Sequence, residues 1–466
     1  MEQYQNYING QFIDSKKKFH SINPTTEEPW AEISAAEKKD VNDAVEAASD
    51  AFHGEWSKFL PQQRSKVLRT IGDKLLENAE LLGTIETKDT GKIFKETKFQ
   101  ANYIAEFYYY YAGLVDKIEG STLPIDKLEM QVFTTRVPVG VVAAIIPWNS
   151  QMFLTAVKLA PALAMGNTIV IKASEIAPAP LFEFAKIINT IDIPKGVINI
   201  ITGFADECGK TLTSHPKVDR IAFTGGMQTA KHIVRNSAEN LSHVTLELGG
   251  KSPVAVFNDA RIDNALNGVT ASIFGASGQS CIAGSRLYLQ EKIYDEFLEK
   301  ISTKAKNIKI GDPMDLETQM GALISANHFD NVMGYIEQAK ASSARLVCGG
   351  DRHNSDNTRD GFFVEPTIFA DCEDEMTSVI RCNPEVDVET DPDDKWTIVS
   401  WTFPCADSFV IGEIIEPATC NSPPLWVWEA DDVDDCLCCE PPCCNWNGIA
   451  TVSLSGPSGL YLDPNS

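Results

Sequence analysis

The amino-acid sequence predicts an α/β protein with a doubly wound parallel sheet, followed by a second α/β region. Two observations support this prediction. Short β-branched runs alternate with helical stretches through the middle of the chain, and the runs lack the strict alternation of a sheet with one wet face. The 466 residues are also enough for two or three domains around a large apolar core, which excludes a single small module.

Helices are predicted before this alternation begins. Over 38–53 and 62–89, apolar positions recur at helical spacing opposite charged faces, which predicts two surface-packing helices. A later helical stretch contains the aromatic run 107–111. A packing role is favoured there over ligand stacking, because aromatic side chains contribute much of the apolar area that a core buries.

Five strands are predicted between residues 139 and 248, over 141–146, 168–171, 197–201, 221–223 and 244–246. Apolar runs of this kind suit parallel strands that are buried on both faces. Ligands bind outside the carboxyl ends of such strands. The residues that closely follow a predicted strand are Asn149, Lys172, Gly203, Thr224 and Glu247. They are therefore candidates for a binding site along one edge of the sheet.

A second α/β region is predicted after residue 250. Its strands are expected at 253–257 and 286–289, and its helices near 260–276, 292–307 and 326–342. Cys281 lies in this region, on a loop between a predicted helix and a predicted strand. Loops carried by a regular scaffold are where reactive side chains are usually presented.

Two short motifs pair a carboxylate with a thiol: Glu247-Leu248-Gly249-Gly250-Lys251 and Gly278-Gln279-Ser280-Cys281. Such a pair suits covalent catalysis, in which a thiolate attacks a carbonyl carbon and a carboxylate later activates water. Taken alone, a single cysteine is more often a small core residue, and a single glutamate is more often a surface carboxylate. The neighbouring motifs decide between these interpretations.

Further motifs accompany these two in the chain. They are Pro147-Trp148-Asn149, Lys172-Ala173-Ser174-Glu175, Phe223-Thr224-Gly225-Gly226 and Gly361-Phe362-Phe363-Val364-Glu365-Pro366-Thr367. Together the motifs resemble the signatures of the aldehyde dehydrogenase superfamily, and the resemblance covers about residues 4–376. It implies a dinucleotide-binding domain (1–120 and 138–248), a candidate oligomerisation hairpin (121–137) and a catalytic domain (249–381).

The resemblance implies a role for each residue of the expected active site. Cys281 would be the nucleophile and Glu247 the general base, while the Asn149 amide and the Cys281 backbone N–H would bind the oxyanion. The expected reaction is the NAD-dependent oxidation of an aldehyde to a carboxylic acid, through a thiohemiacetal and a thioester on Cys281.

The expected cofactor is NAD, although the sequence contains no GxGxxG fingerprint. The resembled family does without that motif and binds the pyrophosphate at a helix N-terminus, here near 228–239. Gly226 replaces a serine found in many members, and Ala230 a frequent glycine; the lost hydroxyl should cost about 1 kcal/mol of binding. The expected cofactor residues are Pro147, Trp148, Lys172, Glu175, Gly203, Thr224, Gly225, Gly226, Leu248 and Gly249.

NAD is expected in preference to NADP because of one carboxylate. By the resemblance, Lys172 and Glu175 bind the adenosine ribose. A carboxylate accepts a hydrogen bond from a ribose 2′-hydroxyl but repels a 2′-phosphate. The alternative for this pair, a solvated Lys–Glu contact at the end of a strand, is disfavoured by the accompanying motifs.

The last 85 residues, 382–466, depart from the family pattern. They contain sixteen Asp and Glu against one basic residue, with eight of the twelve Cys, five of the eight Trp and ten of the 24 Pro. The Glu-Xaa-Phe-Gly-Pro run of most family members is absent. A frameshifted reading frame is the favoured explanation, because no periodic apolar pattern replaces the lost one. A divergent or disordered tail is an alternative.

A metal site in this tail is the third explanation, and it is disfavoured. The cysteines Cys436, Cys438, Cys439, Cys443 and Cys444 lack the CxxC…CxxC spacing of a structural zinc site. The acidic run 431–435 lacks the ligand spacing and the turn glycine of a calcium loop. No metal is therefore expected.

Two rival functions remain at this point. A CoA-acylating dehydrogenase is disfavoured by Glu247, because CoA-dependent relatives generally lack that base. A catalytically impaired protein with a binding or structural role is the other rival, since the tail lacks the carboxylate that holds the nicotinamide ribose in the family.

Charge and hydropathy limit the expected partners. The net charge of −25 argues against nucleic acid and anionic membranes, which would repel the chain. The first residues show no signal-peptide pattern, and no run of eighteen apolar residues occurs, so a cytoplasmic protein without a membrane partner is expected. A homo-oligomer is expected if the C-terminal segment behaves as in the family.

Overall fold

The computed structural model describes residues 1–372, except 357 and 359, and the backbone of three later strands. The predictions for the cysteine-rich cluster, the acidic run and the rest of the tail lie outside the described residues. The contacts divide the chain into two units, Met1–Ile380 with Thr390–Ser408, and Arg381–Glu389 with Phe409–Ser466.

The described helices are α1 (Lys38–His53), α2 (Pro61–Glu77), α3 (Ala79–Thr90), α4 (Phe94–Leu114), α5 (Gln151–Ala164), α6 (Ala179–Ile188), α7 (Lys210–Thr213), α8 (Met227–Ser237), α9 (Ile262–Phe274), α10 (Tyr294–Lys306) and α11 (Ala326–Lys340). None of the helices in the described part of the chain is long and apolar enough to span a membrane.

The described strands are β1 (Glu2–Tyr4), β2 (Asn6–Ile8), β3 (Gln11–Ile13), β4 (Lys18–Asn23), β5 (Glu28–Ser34), β6 (Thr122–Leu123), β7 (Val132–Phe133), β8 (Val141–Ile145), β9 (Thr168–Ala173), β10 (Ile198–Thr202), β11 (Arg220–Gly225), β12 (His243–Leu248), β13 (Pro253–Val256), β14 (Arg286–Gln290), β15 (Arg345–Cys348), β16 (Ile368–Cys372), β17 (Trp396–Ser400), β18 (Glu413–Ile415) and β19 (Leu425–Val427).

The largest sheet has seven strands in the order β12-β11-β8-β9-β10-β2-β3. The first five are parallel, and β2 joins β10 antiparallel. Every residue of β8, β9 and β10 is buried, as the apolar runs predicted. The chain proceeds from β8 to β10 in one direction and then returns to place β11 on the other side of β8. The strand order therefore reverses between β8 and β11, which is the place where open α/β sheets bind ligands.

A second sheet has five strands in the order β13-β14-β17-β16-β15, with β13 and β14 parallel. Its core is a cluster separate from that of the first sheet and is packed by α9, α10 and α11 through residues such as Val269, Phe297 and Ile336. Three small sheets complete the description: β1-β5-β4, the β6–β7 pair, and the β18–β19 pair, which lies in the second unit.

The helix predicted over 62–89 is interrupted. α2 ends at Glu77 and α3 begins at Ala79, with Asn78 at φ −112° and ψ 12° between them. The Asn78 side-chain amide donates to the Lys74 carbonyl at 2.8 Å, the kind of local side-chain bond that competes with helical backbone pairing. Apolar periodicity continues across this break, so the pattern alone could not show it.

Other predicted elements differ at their ends. The helix expected to reach residue 276 stops at Phe274, and Ala276 adopts a left-handed conformation. β9, β11 and β12 extend further than predicted, so Lys172, Thr224 and Glu247 lie inside the last residues of their strands. Backbone pairing between neighbouring strands continues through these polar positions, which hydrophobicity alone could not indicate.

Candidate active site

Asn149 connects the edge of the first sheet to the loop that carries the thiol. It follows β8 after Pro147 and Trp148, and its Nδ2 atom donates to the Gln279 carbonyl at 2.8 Å. Its Oδ1 atom is buried and has no protein partner among the described residues. The Asn149 amide thus lies beside the Cys281 loop, and its position is fixed by a hydrogen bond between residues 130 positions apart in the chain.

The Cys281 loop contains three successive residues with positive φ: Ala276 at 51°, Ser277 at 55° and Gly278 at 76°. Residues with a side chain rarely adopt this region, and such conformations concentrate at functional sites. The Ser277 hydroxyl donates to the Gly321 carbonyl at 3.0 Å, and the Gln279 Oε1 atom accepts from the Ile324 backbone N–H at 2.9 Å. These contacts hold the loop in its irregular shape.

Burial raises the pKa of the half-buried Cys281 thiol, and the charge of Glu247 raises it further. The backbone N–H groups of Cys281 and Ile282 and the charge of Lys158 lower it. The thiol is therefore mostly protonated near neutral pH, and a base must remove its proton before it can act as a nucleophile. Backbone donors around the sulfur are of the kind that also stabilise an oxyanion.

Glu247 lies on β12, opposite Thr224 of β11 in the strand register. Its side chain is exposed, so it can meet water. Its charge shifts the pKa values of both Cys281 and Lys158, which places the carboxylate in the same electrostatic environment as the thiol. An exposed carboxylate near a half-buried thiol suits a base that acts on a water molecule.

Sequence reasoning missed Lys158, which belongs to this site. Its Nζ atom donates to the Thr224 hydroxyl at 2.5 Å. Burial lowers its pKa to about 8, while Glu247 and Cys281 oppose that shift. A signal was present in the sequence, because Lys158 is the sole charged side chain in the apolar helix α5.

The predicted ribose site contains an ion pair. The buried Lys172 Nζ atom lies 2.9 Å from the Glu175 carboxylate and also donates to the Ala173 carbonyl at 3.2 Å. Glu175 retains partial exposure, so its second oxygen can accept a hydrogen bond from a ligand. The structure thus brings the two residues together at the carboxyl end of β9.

Close steric contacts explain why Gly203 and Gly225, at the edge of the sheet, are glycine. A Cβ atom on Gly203 would lie 2.8 Å from the Ala36 carbonyl oxygen and 2.9 Å from the Cys208 Cβ. A Cβ on Gly225 would meet the Phe223 ring at 2.5 Å. Gly226 is the N-cap residue of α8, whose first turn carries no acidic side chain and which has no side-chain hydrogen bond at its N-cap. That helix end can accept an anion such as a pyrophosphate.

His328 is a second residue that sequence reasoning missed. Its ring lies 5.1 Å from the Trp148 ring, and its Nε2 atom is buried without a partner among the described residues. Burial and the charge of Lys251 lower its pKa to about 4, so the ring is neutral at physiological pH. A buried nitrogen without a partner in the described part of the chain can accept a hydrogen bond from, or donate one to, a polar ligand beside Trp148. No feature of the sequence marked it.

Comparison with known proteins identifies the family. The family model described as "Aldehyde dehydrogenase family" matches residues 12–381. A relative from Acinetobacter baylyi, named (Z)-2-((N-methylformamido)methylene)-5-hydroxybutyrolactone dehydrogenase, is 52% identical over 373 residues, which cover 80% of this chain and 75% of the relative. The chain belongs to the aldehyde dehydrogenase family.

Solved structures agree with this assignment. Betaine aldehyde dehydrogenase from Staphylococcus aureus, a point mutant in complex with NAD⁺, is similar with a TM-score of 0.79 and 37% identity, covering 81% of this chain and 76% of that chain. An NAD⁺ complex of an aldehyde dehydrogenase from Bacillus cereus has a TM-score of 0.79 and 38% identity, covering 82% and 77%.

These comparisons confirm three predictions from the sequence: the family, the α/β fold class and the enzyme class. The protein is an oxidoreductase that oxidises small-molecule aldehydes, and NAD is the cofactor found in the similar structures. The two rival functions, a CoA-acylating enzyme and a catalytically impaired binding protein, are not favoured. The family match ends at residue 381, next to the point where the composition of the chain changes.

Proposed function

We propose that Cys281, Glu247 and Asn149 carry out the oxidation, with Lys158 assisting proton transfer. The most direct support for this proposal is that the charge of Glu247 acts on both Cys281 and Lys158, and that Cys281 and Lys158 act on each other. The hydrogen bond from Asn149 to the Gln279 carbonyl also holds an amide donor against the loop that carries Cys281.

In the proposed reaction, the Cys281 thiolate adds to the aldehyde carbon, and the carbonyl oxygen becomes an oxyanion. The Asn149 amide and the Cys281 backbone N–H donate to that oxygen. NAD, when bound, accepts the hydride that leaves the carbon, and a thioester on Cys281 remains. Glu247 removes a proton from a water molecule that attacks the thioester, which releases the carboxylic acid and the thiolate.

Lys158 provides a place for the proton in this scheme. Its pKa of about 8 means that a substantial part of its amine is neutral in mildly alkaline solution and can accept a proton. The Thr224 hydroxyl holds the amine beside Glu247, since Thr224 pairs with Glu247 in the sheet. A proton on Glu247 can therefore pass to Lys158 and restore the base.

The Glu247→Gln variant tests the role of the base. Acylation of Cys281 precedes the water step, so the variant should release about one equivalent of NADH per site and then stall. Rapid mixing with aldehyde and NAD measures this burst. Equal loss of burst and steady turnover would show that Glu247 does not act in deacylation.

We propose NAD rather than NADP as the cofactor. The Lys172–Glu175 pair would receive the adenosine ribose, the first turn of α8 the pyrophosphate, and the orphan nitrogen of His328 a polar group near Trp148. The remaining expected contacts are those of Pro147, Gly203, Gly225, Leu248 and Gly249. The support for NAD is the Glu175 carboxylate and the NAD⁺ complexes of the similar structures.

We propose a small polar aldehyde as the substrate class. A 5-hydroxybutyrolactone, the group named for the 52% identical relative, carries a hydroxyl and a ring oxygen on one carbon, so its open form is a 4-oxobutanoate aldehyde. Turnover of 4-oxobutanoate compared with hexanal tests this proposal. A higher kcat/KM for hexanal would contradict it.

We further propose that residues 1–120 and 138–248 form the dinucleotide-binding domain and that residues 249–381 form the catalytic domain. Residues 121–137 would form a hairpin that takes part in assembly. The two large sheets fall on either side of residue 249. In the hairpin segment, Leu123, Leu128 and Phe133 are exposed, as expected of a surface that a second copy of the chain covers. Light scattering of Leu128→Asp should show a smaller particle than the parent chain.

We also propose that the protein is cytoplasmic, and localisation of a tagged chain can test this.

A further inference from the structure

Glu96 makes a contact that the proposed reaction does not use. It lies in the first turn of α4, and both of its carboxylate oxygens accept the backbone N–H of Ala276, at 3.1 and 3.2 Å. The two residues are 180 positions apart in the chain. Ala276 lies five residues before Cys281, at the start of the run with positive φ.

The backbone that Glu96 holds is one that the local sequence does not favour. Ala276 has a Cβ atom and no polar side chain that could stabilise a left-handed conformation by a local hydrogen bond. Strained residues of this kind persist only where the surroundings determine their conformation. Hydrogen bonds at both of its backbone groups hold Ala276: its N–H donates to the Glu96 carboxylate, and its carbonyl accepts from the Gln279 backbone N–H at 3.1 Å.

Glu96 belongs to a buried group of charges. Lys92 forms a buried ion pair with Glu86 at 2.6 Å, and its charge lowers the pKa of Glu96, as does the Ala276 N–H, against the larger effect of burial, which raises it. The Lys92 Nζ atom also lies 3.4 Å from the hydroxyl of Ser150, the residue after Asn149. Glu96 thus contacts the segment before Cys281, and the neighbouring charge of Lys92 contacts the segment after Asn149.

We propose that Glu96 is a positioning residue for the nucleophile. By binding the Ala276 N–H it fixes the left-handed run that precedes Cys281, and so fixes the direction of the thiol and of the Cys281 backbone N–H. This proposal rests on the proposed role of Cys281. Glu96 is not one of the residues proposed to bind substrate or cofactor, so its loss should lower kcat and leave the KM for NAD unchanged.

The experiment compares Glu96→Ala and Glu96→Gln with a matched control. The control is Glu80→Gln. Glu80 of α3 forms an ion pair with Lys98 of α4, the helix that carries Glu96, but this ion pair lies at the surface. Steady-state kinetics give kcat and KM, and iodoacetamide labelling followed by peptide mass analysis gives the reactivity of Cys281 by itself. Peptide analysis is needed because the chain contains twelve cysteines.

Glu96→Ala should lower kcat about 10- to 100-fold, the range expected when a reacting group is misplaced by up to 1 Å. It should also change the labelling rate of Cys281, while the KM for NAD stays within about twofold of the value for the parent chain. Glu96→Gln keeps the shape and one acceptor oxygen, so it should fold normally and lose less activity. Glu80→Gln should stay within about twofold of the parent chain.

A second substitution separates positioning from general destabilisation. Ala276→Gly relieves the left-handed conformation, because glycine adopts positive φ without a Cβ clash. In the Glu96→Ala background it should recover part of the lost kcat. Ala276→Gly in the parent chain is the control: relief of the left-handed strain should raise stability in both backgrounds, whereas a recovery of kcat should occur only in the Glu96→Ala background.

Two outcomes would overturn the proposal: unchanged kcat and unchanged Cys281 labelling in both Glu96 variants, or a loss that Ala276→Gly deepens. Failure of the proposed function gives a different result. In that case the parent chain itself forms no NADH and no acyl adduct on Cys281, and the labelling rates alone then decide the role of Glu96.

Discussion

The carboxyl edge of the seven-stranded sheet, proposed as the cofactor site (the cofactor edge), and the Cys281 loop position their side chains in different ways. At the edge, Lys172 pairs in register with Ile145 and Ile201, and Glu247 pairs with Thr224, inside parallel ladders. The loop has no such ladder. Its shape depends on single hydrogen bonds from residues far away in the chain. Backbone pairing between strands therefore positions Lys172 and Glu247, whereas hydrogen bonds between distant residues position Cys281.

The energies of the two regions differ accordingly. Each fully buried Val or Ile beneath the cofactor edge contributes about 1.5–3 kcal/mol, and β8, β9 and β10 are buried throughout. In the loop, Ala276 and Ser277 each cost about 1–2 kcal/mol in the left-handed region. Hydrogen bonds of about 0.5–1.5 kcal/mol each must offset that cost. Loss of one bond should matter more in the loop than at the edge.

The largest effect is expected from removal of the thiol itself. Cys281→Ala should abolish aldehyde oxidation but leave NAD binding intact, because the thiol forms the covalent bond and the cofactor residues lie on the sheet edge. Assays of NADH formation and titration with NAD measure the two properties separately. Acid formation above a few per cent of the parent rate would show that another group is the nucleophile.

Replacement of the tail is expected to have the next largest effect. A chimera whose residues after Met376 come from a complete family member should turn over faster, because the family's ribose-holding carboxylate lies in that segment. Misplacement of the nicotinamide by about 1 Å can cost roughly a hundredfold. Cys281 labelling should change little. Equal turnover of chain and chimera would mean that residues 382–466 function as they are.

The cofactor edge should show a smaller effect. Glu175→Ala should reduce the preference for NAD over NADP by at most about 1–3 kcal/mol, the scale of a hydrogen bond to a charged group. The carboxylate that repels a 2′-phosphate is lost, while the strand ladder around Lys172 remains. Binding titrations with both cofactors measure the ratio, and an unchanged ratio would show that Glu175 does not contact the ribose.

The smallest expected effect is a shift along the pH axis. Burial and Glu247 raise the pKa of Cys281, so its labelling by iodoacetamide should accelerate as pH rises and the thiolate forms. Lys158→Met removes a charge that lowers this pKa and should move the curve to higher pH. Glu247→Gln removes a charge that raises it and should move the curve to lower pH. Shifts of both variants in the same direction would refute the proposal that Lys158, Glu247 and Cys281 lie in one site.

The sequence by itself determined the parallel sheet and the identity of most candidate residues. Fully apolar runs that alternate with helical stretches are typical of a parallel sheet covered on both faces, and residues near its strand ends then meet at one edge. Lys172, Thr224 and Glu247 could be selected for that reason. Cys281 and Asn149 could be selected from their motifs, because motif residues are close together in the chain.

The tertiary structure alone decided how the thiol is held and which groups surround it. Three contacts join residues that are far apart in sequence: Lys158 with Thr224, His328 with Trp148, and Glu96 with Ala276. Periodicity and local propensity describe neighbours along the chain, so they contain no information on these pairs. The left-handed conformation of Ala276 runs against local preference, and only long-range hydrogen bonds can impose it.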